Sequence, residues 1–204
     1  MKLLKSAIFV AMTTAMSGAF ASQIGLSAHP FSMQKQVLST EFTNYMSNGT
    51  GMGIEAKYFQ RVNEMMNFEA GFGVTDGDRS NRIFAAADFM LFPDYGNQPR
   101  VSVKGMIETA NFDGERINSF GVAPTVSKGF SFWGNEAFPY AALPIKIGLN
   151  SDQSTYETQT AFATGITAPI GISGYESLIA NFEANIDLSN SYTGFVVGIA
   201  LPLQ

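Results

Sequence analysis

The sequence lacks cysteine altogether and has a single histidine, His29. Without cysteine there is no disulfide framework, and no thiolate can serve as a nucleophile or metal ligand. The stability of the chain must therefore come from backbone pairing and packing.

Charge is also scarce. Asp, Glu, Lys and Arg make up 14% of the 204 residues, whereas apolar residues make up 46%; ordinary soluble domains carry about 25% charged residues. The formal net charge is −5, and Lys and Arg form no cluster. This argues against nucleic acid as a partner, because phosphates require a basic surface. A shortage of charge in so apolar a chain needs an explanation.

Long apolar runs are missing too, apart from a short one near the start. Residues 1–21 contain Lys2 and Lys5, an apolar stretch over 7–12, and the small-x-small sequence Ala19-Phe20-Ala21. The stretch is shorter than the roughly 20 residues of a membrane-spanning helix. We therefore predict a cleaved signal peptide over 1–21 and Sec-type export, rather than an uncleaved anchor, followed by one mature domain.

The sequence does have a regular pattern: apolar residues alternate with polar or small ones, with a period of two, over most of 37–204. Turn signals separate the alternating runs at 47–51, 61–64, 76–81, 93–99, 113–118, 133–136, 150–156, 172–177 and 189–192. We predict an all-β fold of about ten antiparallel strands, within a range of 8 to 12, in a closed up-and-down meander. Each strand is long enough for a tilted transmembrane strand, which needs about 9 to 11 residues.

Two parts of the pattern are less regular. Residues 22–36 show no period, and we interpret them as a loose leader; a plug or a further short strand are alternatives. Four prolines lie inside or at the ends of the sixth to eighth strands, where each removes a ladder donor: Pro124, Pro139, Pro144 and Pro169. They predict bulges, strand ends or a slip in register.

The two faces of the strands differ in chemistry. One face is apolar and nearly free of charge, while the other combines glycine and alanine with the charged residues. A charge facing lipid at the bilayer midplane costs about 2 to 4 kcal/mol, so we expect a membrane barrel with its apolar face outward. A soluble lipid-binding barrel, with that face inward, is the alternative. The charges predicted for the lumen are Glu41, Glu55, Lys57, Glu69, Asp88, Lys104, Glu108, Lys146, Glu183 and Asp187.

Aromatic residues collect beside the second, fourth and sixth turns, which is typical of an interfacial girdle. They are Tyr58, Phe68, Phe89, Phe92, Phe130, Phe132, Trp133 and Phe138.

The last strand, GFVVGIALPLQ over 194–204, places Gly198 three and five residues before Leu201 and Leu203. With the alternation of the mature chain, this resembles the bacterial outer-membrane β-barrel proteins, whose C-terminal assembly signal has that spacing. The chain departs from the signal in lacking the terminal aromatic and in having the apolar Val196. The resemblance implies the outer membrane of a Gram-negative cell, the barrel-assembly machinery as a partner, lipids and lipopolysaccharide as surroundings, and periplasmic termini.

No catalytic site, cofactor or metal is predicted. His29 lies in the leader and is interpreted as a packed or solvated residue. Asp76-Gly77-Asp78 does not continue as a calcium loop, because Asn81 and Ala87 stand where Gly and Glu are needed. Charged residues at the external turns form a solvated rim or bridge divalent cations to lipopolysaccharide: Asp76, Asp78, Asp113, Glu115, Asp152, Arg79, Arg82 and Arg116.

The interior leaves two non-enzymatic functions open. Eight strands enclose a space that side chains fill, and ten leave only slightly more. The chain is therefore either a narrow porin-like pore, with mild cation preference from an excess of acids over three lysines, or a plugged structural barrel of the envelope. A recognition or adhesion barrel is a further alternative, although the external loops are short.

Overall fold

The computed structural model describes residues 24–33, 35–47, 50–76, 79–112, 114–132, 135–150, 155–172 and 177–203. The predicted signal peptide and its cleavage site lie outside these residues. Within them, no helix has both the length and the apolar character needed to cross a membrane.

A short helix precedes the strands. Helix α1 covers Gly25–Ala28. The strands are β1 Gln36–Tyr45, β2 Gly51–Arg61, β3 Met66–Thr75, β4 Arg79–Phe92, β5 Arg100–Phe112, β6 Glu115–Ser127, β7 Phe130–Phe132, β8 Asn135–Ala142, β9 Ile145–Asn150, β10 Thr155–Pro169, β11 Ile179–Ser189 and β12 Gly194–Pro202.

The strands close into one antiparallel ring. β1 to β6 pair in chain order, β8 and β9 together fill the seventh position, and β10, β11 and β12 complete the ring. The ring closes where β12 pairs with β1, from Val37 opposite Pro202 to Tyr45 opposite Gly194. The predicted fold, a ten-stranded up-and-down barrel sealed by its first and last strands, is confirmed.

The seventh strand of the ring is interrupted after Ala142, because Pro144 has no N–H to donate to the ladder. β8 and β9 nevertheless keep a common register with β6 and with β10 across the break. The predicted slip in register is therefore wrong here, whereas Pro169 does end its strand. Register shifts occur instead between Arg79 and Asn81, between Met90 and Phe92, and between Thr160 and Ala161.

β7 is an addition to the predicted ten strands. It forms a short hairpin with the first residues of β8. Just before it, Lys128 pairs with the Asp94 carboxylate and donates to the carbonyl oxygen of Gly96 at 2.6 Å. This contact joins the β4–β5 turn to the β6–β7 connection.

The barrel has two ends, which we name by the chain termini. The N/C end is where β1 begins and β12 ends, and the far end is where β1 ends at Tyr45 and β12 begins at Gly194. Residues 24–33, which we call the plug, run from the barrel interior to its N/C end, where Pro30, Ser32 and Met33 are exposed. Residues 24–28 are buried, with Ile24 at 0% exposure and Leu26 at 1%. Of the predicted leader, residues 24–28 lie inside the barrel and plug it.

The apolar face of the strands points outward. Ile83 and Ile107 are 68% and 63% exposed, and the charged face is buried. Other exposed apolar residues on the strands include Leu38, Ile54, Phe72, Val74, Phe120, Val122, Phe182, Ile186, Val197, Ile199 and Leu201. This arrangement is the reverse of a soluble lipid-binding barrel. The chain therefore has the fold of a membrane β-barrel.

The aromatic girdle is present in part at the N/C end. Phe68, Phe89, Phe92 and Phe130 are 38 to 55% exposed. Phe138 does not belong to it, because its ring packs inside the barrel against His29. The side chains of Phe132 and Trp133 lie outside the described residues.

Candidate functional site

The barrel interior holds nearly all the charged residues predicted for it. Nine are buried, at 0 to 7% exposure: Glu41, Glu55, Lys57, Glu69, Asp88, Lys104, Glu108, Lys146 and Glu183. The tenth, Asp187, is half-buried at the far end, where its carboxylate accepts the N–H of Ser191 at 2.9 Å.

Two lysines pair with buried glutamates that would otherwise repel one another. Glu41 and Glu55 stand directly opposite each other on β1 and β2. Lys57 Nζ lies 2.5 Å from Glu41 Oε1, and Lys104 pairs with Glu69. A buried carboxylate is tolerated when a cation is this close, because the attraction offsets the loss of hydration.

A second network joins four strands of the barrel. Arg82 on β4 places Nη2 2.5 Å from Glu55 Oε2 and Nη1 3.6 Å from Glu108 Oε1. Lys146 on β9 lies 3.4 Å from the other oxygen of Glu108. Since Arg82 contacts both carboxylates, it links β2 to β5 across the interior.

The arginines of the interior were not among the predicted lumen residues. Arg82 was interpreted as part of the external rim, which is wrong: it is 7% exposed and faces inward. It lies on the same strand face as Ala86 and Asp88, so the alternation of β4 was the signal that could have placed it. Arg100, beside a turn, pairs with Asp88. The lumen thus contains two arginines in addition to its three lysines. Its excess of acidic over basic residues is therefore smaller than the sequence predicts.

Glycines on the inner face make room for these charges. A Cβ at Gly73 would lie 3.2 Å from Glu55 Oε2 and 3.4 Å from Arg82 Cγ. The sequence predicts small residues beside long paired charges, and this position is one instance.

Glu183 anchors the start of the plug. Its Oε2 accepts the backbone N–H groups of Ile24 at 2.7 Å and Gly25 at 3.2 Å, and the Tyr140 hydroxyl donates to the same atom at 2.8 Å. Asn185 Nδ2 donates to Oε1 at 2.9 Å. One carboxylate on β11 thus satisfies two donors at the beginning of α1, which an isolated four-residue helix would leave unpaired.

Two arginines hold the remainder of the plug. Arg100, which pairs with Asp88, also donates to the carbonyl oxygen of Ser27, and Arg61 donates to that of Phe31. Leu26 and Phe31 pack in one apolar cluster with Val37, Phe59, Ile179 and Ala200. The plug is therefore bound by both polar and apolar contacts at the N/C end.

His29 is packed, as one of the two sequence-based readings expected. Its Nδ1 lies 3.3 Å from Thr167 Oγ1, and its ring centroid lies 4.6 Å from that of Phe31 and 5.1 Å from that of Phe138. Burial lowers the pKa of His29 from 6.5 to about 4. The imidazole is thus neutral near pH 7.

The residues proposed as an assembly signal lie on the closing strand or just after it. Gly198 faces the interior opposite Glu41, and Leu201 is 46% exposed on the outer face. Leu203 lies just past β12, where its N–H donates to the Gln36 carbonyl oxygen at 2.8 Å.

Comparisons with known proteins find structural likeness and no matching family. No protein-family model matches the chain, and no curated protein matches it. One similar solved structure is a designed protein described as "De novo design of transmembrane beta-barrels". It is 12% identical, covers 86% of this chain and 100% of its own, and has a TM-score of 0.43.

Proposed function

We propose that this protein is a non-enzymatic outer-membrane β-barrel that acts as a closed, structural component of the cell envelope. The observation that carries the proposal is the plug, whose residues 24–28 lie buried in the barrel and which is bound by Glu183, Arg100 and Arg61. A barrel that served as an open pore would not need such a segment in its lumen.

The interior charges support closure as well. A selective pore exposes charged rings to water and passing ions, whereas Lys57, Arg82 and Lys146 are each 8% exposed or less and contact carboxylates. The ion pairs therefore narrow the space that a pore would leave to water, and the plug closes what remains. A narrow porin-like pore is the weaker of the two functions that the sequence left open.

The external rim gives little support to adhesion. Only five residues separate β1 from β2 at the far end, and four separate β11 from β12. Protein interfaces usually bury about 800 Å² per partner, which short hairpins supply poorly. Lipids and lipopolysaccharide are therefore the expected surroundings of the barrel, and the barrel-assembly machinery its expected partner during folding.

Fractionation and vesicle leakage test this proposal. We expect the protein in the outer-membrane fraction, released only by detergent and showing heat-modifiable migration on gels. Vesicles that contain the folded protein should retain a small trapped solute as well as protein-free vesicles do. Recovery in the soluble periplasmic fraction would overturn the membrane location, and rapid leakage would overturn closure.

A further inference from the structure

The turn between β11 and β12 carries a tyrosine that is hidden inside the barrel. Tyr192 is 0% exposed, and its hydroxyl oxygen is buried as well. Side chains of a turn at the rim of a barrel normally face water, and Asn190 in the same turn is exposed. The side chain of Tyr192 is therefore directed into the lumen at the far end.

Tyr192 packs against the inner face of the two strands that close the barrel. Its ring centroid lies 5.0 Å from that of Tyr45 at the end of β1, and the two ring planes meet at 71°. On β12, a Cβ added to Gly194 would fall 3.3 Å from Tyr192 Cδ2. An edge-to-face aromatic contact, which is a favourable geometry, and a neighbouring glycine thus hold the ring in place.

Hydrogen bonds from both sides hold the turn in this position. The Asp187 carboxylate accepts the N–H of Ser191 at 2.9 Å, and Thr193 Oγ1 accepts the N–H of Asp187 at 3.2 Å. On the side of β1, the N–H of Thr193 donates to Ser47 Oγ at 2.8 Å. Asn190 has a φ of 51°, a left-handed conformation that asparagine adopts more readily than most residues. Because water can replace these bonds at the rim, the turn can open while the strands stay paired.

Val196 lies between Tyr192 and the plug. It is the next inward-facing residue of β12 after Gly194, and it is 0% exposed. Its partner across the β11–β12 pair is Glu183, which binds the start of the plug. A solute that entered from the far end would therefore meet Tyr192 first and the plug second.

We propose that the β11–β12 turn, residues 190–193, is a lid that closes the far end of the lumen by packing Tyr192 on Tyr45. The lid and the plug are two closures in series. The lid opens when its hydrogen bonds at the rim break, and the plug does not move with it. This inference rests on the closed barrel of the proposed function, to which it adds a second closure.

A single thiol below the lid reports whether the far end is closed. Because the chain has no cysteine, Val196→Cys gives one thiol, and cysteine suits a buried apolar position. Heat-modifiable migration verifies the fold, and labelling by a small methanethiosulfonate is timed in detergent micelles, where both ends of the barrel meet the reagent. We expect Tyr192→Ala to speed labelling of residue 196 at least about tenfold, because burial of a large side chain holds the lid shut by that factor or more.

Three control variants are made in the same background. Tyr156→Ala is the matched control, because Tyr156 lies at the far end of β10 and is 77% exposed; labelling should stay slow. Tyr192→Phe keeps the ring and should also label slowly. Ser47→Ala removes one hydrogen bond of the lid and leaves Tyr192 in place, so it should speed labelling about fivefold. This last variant tests the lid even if Tyr192→Ala does not fold.

The outcomes separate the lid from the plug. Equal labelling of residue 196 in Tyr192→Ala and Tyr156→Ala would overturn the lid and leave the proposed function standing. Fast labelling of Tyr192→Phe would overturn closure by the ring. Vesicles that contain Tyr192→Ala should still retain a trapped solute, because the plug closes the N/C end. Rapid leakage from them would overturn closure by the plug and, with it, the proposed function.

Discussion

Gly198 on the closing strand lies directly opposite Glu41 on the first strand, and a Cβ added to Gly198 would fall 2.6 Å from Glu41 Cγ. Glu41 is fully buried and is paired with Lys57, so it has little freedom to move aside. Gly198, where β12 pairs with β1, therefore leaves space for the buried side chain of Glu41.

Gly198→Ala should lower the free energy of unfolding of the barrel. Crowding a packed interior typically costs about 1 to 3 kcal/mol. Gly105→Ala is the matched control, because its nearest neighbour to a new Cβ is 3.9 Å away. Urea unfolding of both variants in vesicles measures the difference. If the two variants unfold alike, steric contact with Glu41 does not explain this glycine.

Arg82→Met should destabilise the folded barrel strongly. The change removes the cation that lies 2.5 Å from Glu55 and 3.6 Å from Glu108, and breaking a buried pair costs about 3 to 5 kcal/mol. Arg116→Met, at an exposed position, is the control and should cost no more than about 0.5 kcal/mol. If Arg82→Met lowers the free energy of unfolding only slightly, these carboxylates are surrounded by water and not by a packed network.

Acid should loosen the plug through His29. Its folded pKa of about 4 lies below the usual histidine value of 6.5, so the seated plug binds fewer protons than the released one. Seating is therefore fully favoured above about pH 6.5 and is lost progressively as the pH falls toward 4. We expect vesicle leakage to rise between pH 7 and pH 4.5, and to rise less in His29→Gln, which does not titrate. Equal pH profiles would exclude His29 as the cause.

Ile107→Arg, which places a charge on the outer face of the barrel, should block insertion into a bilayer. Ile107 is 63% exposed near the middle of β5, and arginine at a bilayer midplane costs about 2 to 4 kcal/mol. Tyr95→Arg, in the β4–β5 turn at 82% exposure, is the control and should insert normally. The yield of heat-modifiable barrel in vesicles measures the effect. Normal insertion of Ile107→Arg would argue that this face does not contact lipid.

Much of the barrel could be predicted because successive side chains of a barrel strand face the outside and the lumen in turn, which gives the sequence a period of two residues. Phe72 and Ile83 alternate with Gly73 and Arg82 along adjacent strands, and this parity reveals which side each residue faces. The sequence nevertheless predicts Arg82 at the rim, because this residue directly follows the turn signal at 76–81, whereas β4 already begins at Arg79.

The plug could not be predicted in the same way. A helix of four residues has no periodicity to detect, and isolated helices this short are unstable in water. Its position depends on contacts with Glu183, Arg100 and Arg61, which lie on three different strands. Such contacts between distant parts of the chain leave no local pattern in the sequence.

Single-channel conductance in planar bilayers tests the closed barrel most directly. The predicted mature chain, residues 22–204, should show no steady conductance after heat-modifiable migration has verified its fold, whereas a chain that begins at residue 34 and lacks the plug should show frequent openings. Steady, cation-selective conductance of the mature chain at pH 7, equal to that of the chain without the plug, would contradict the account.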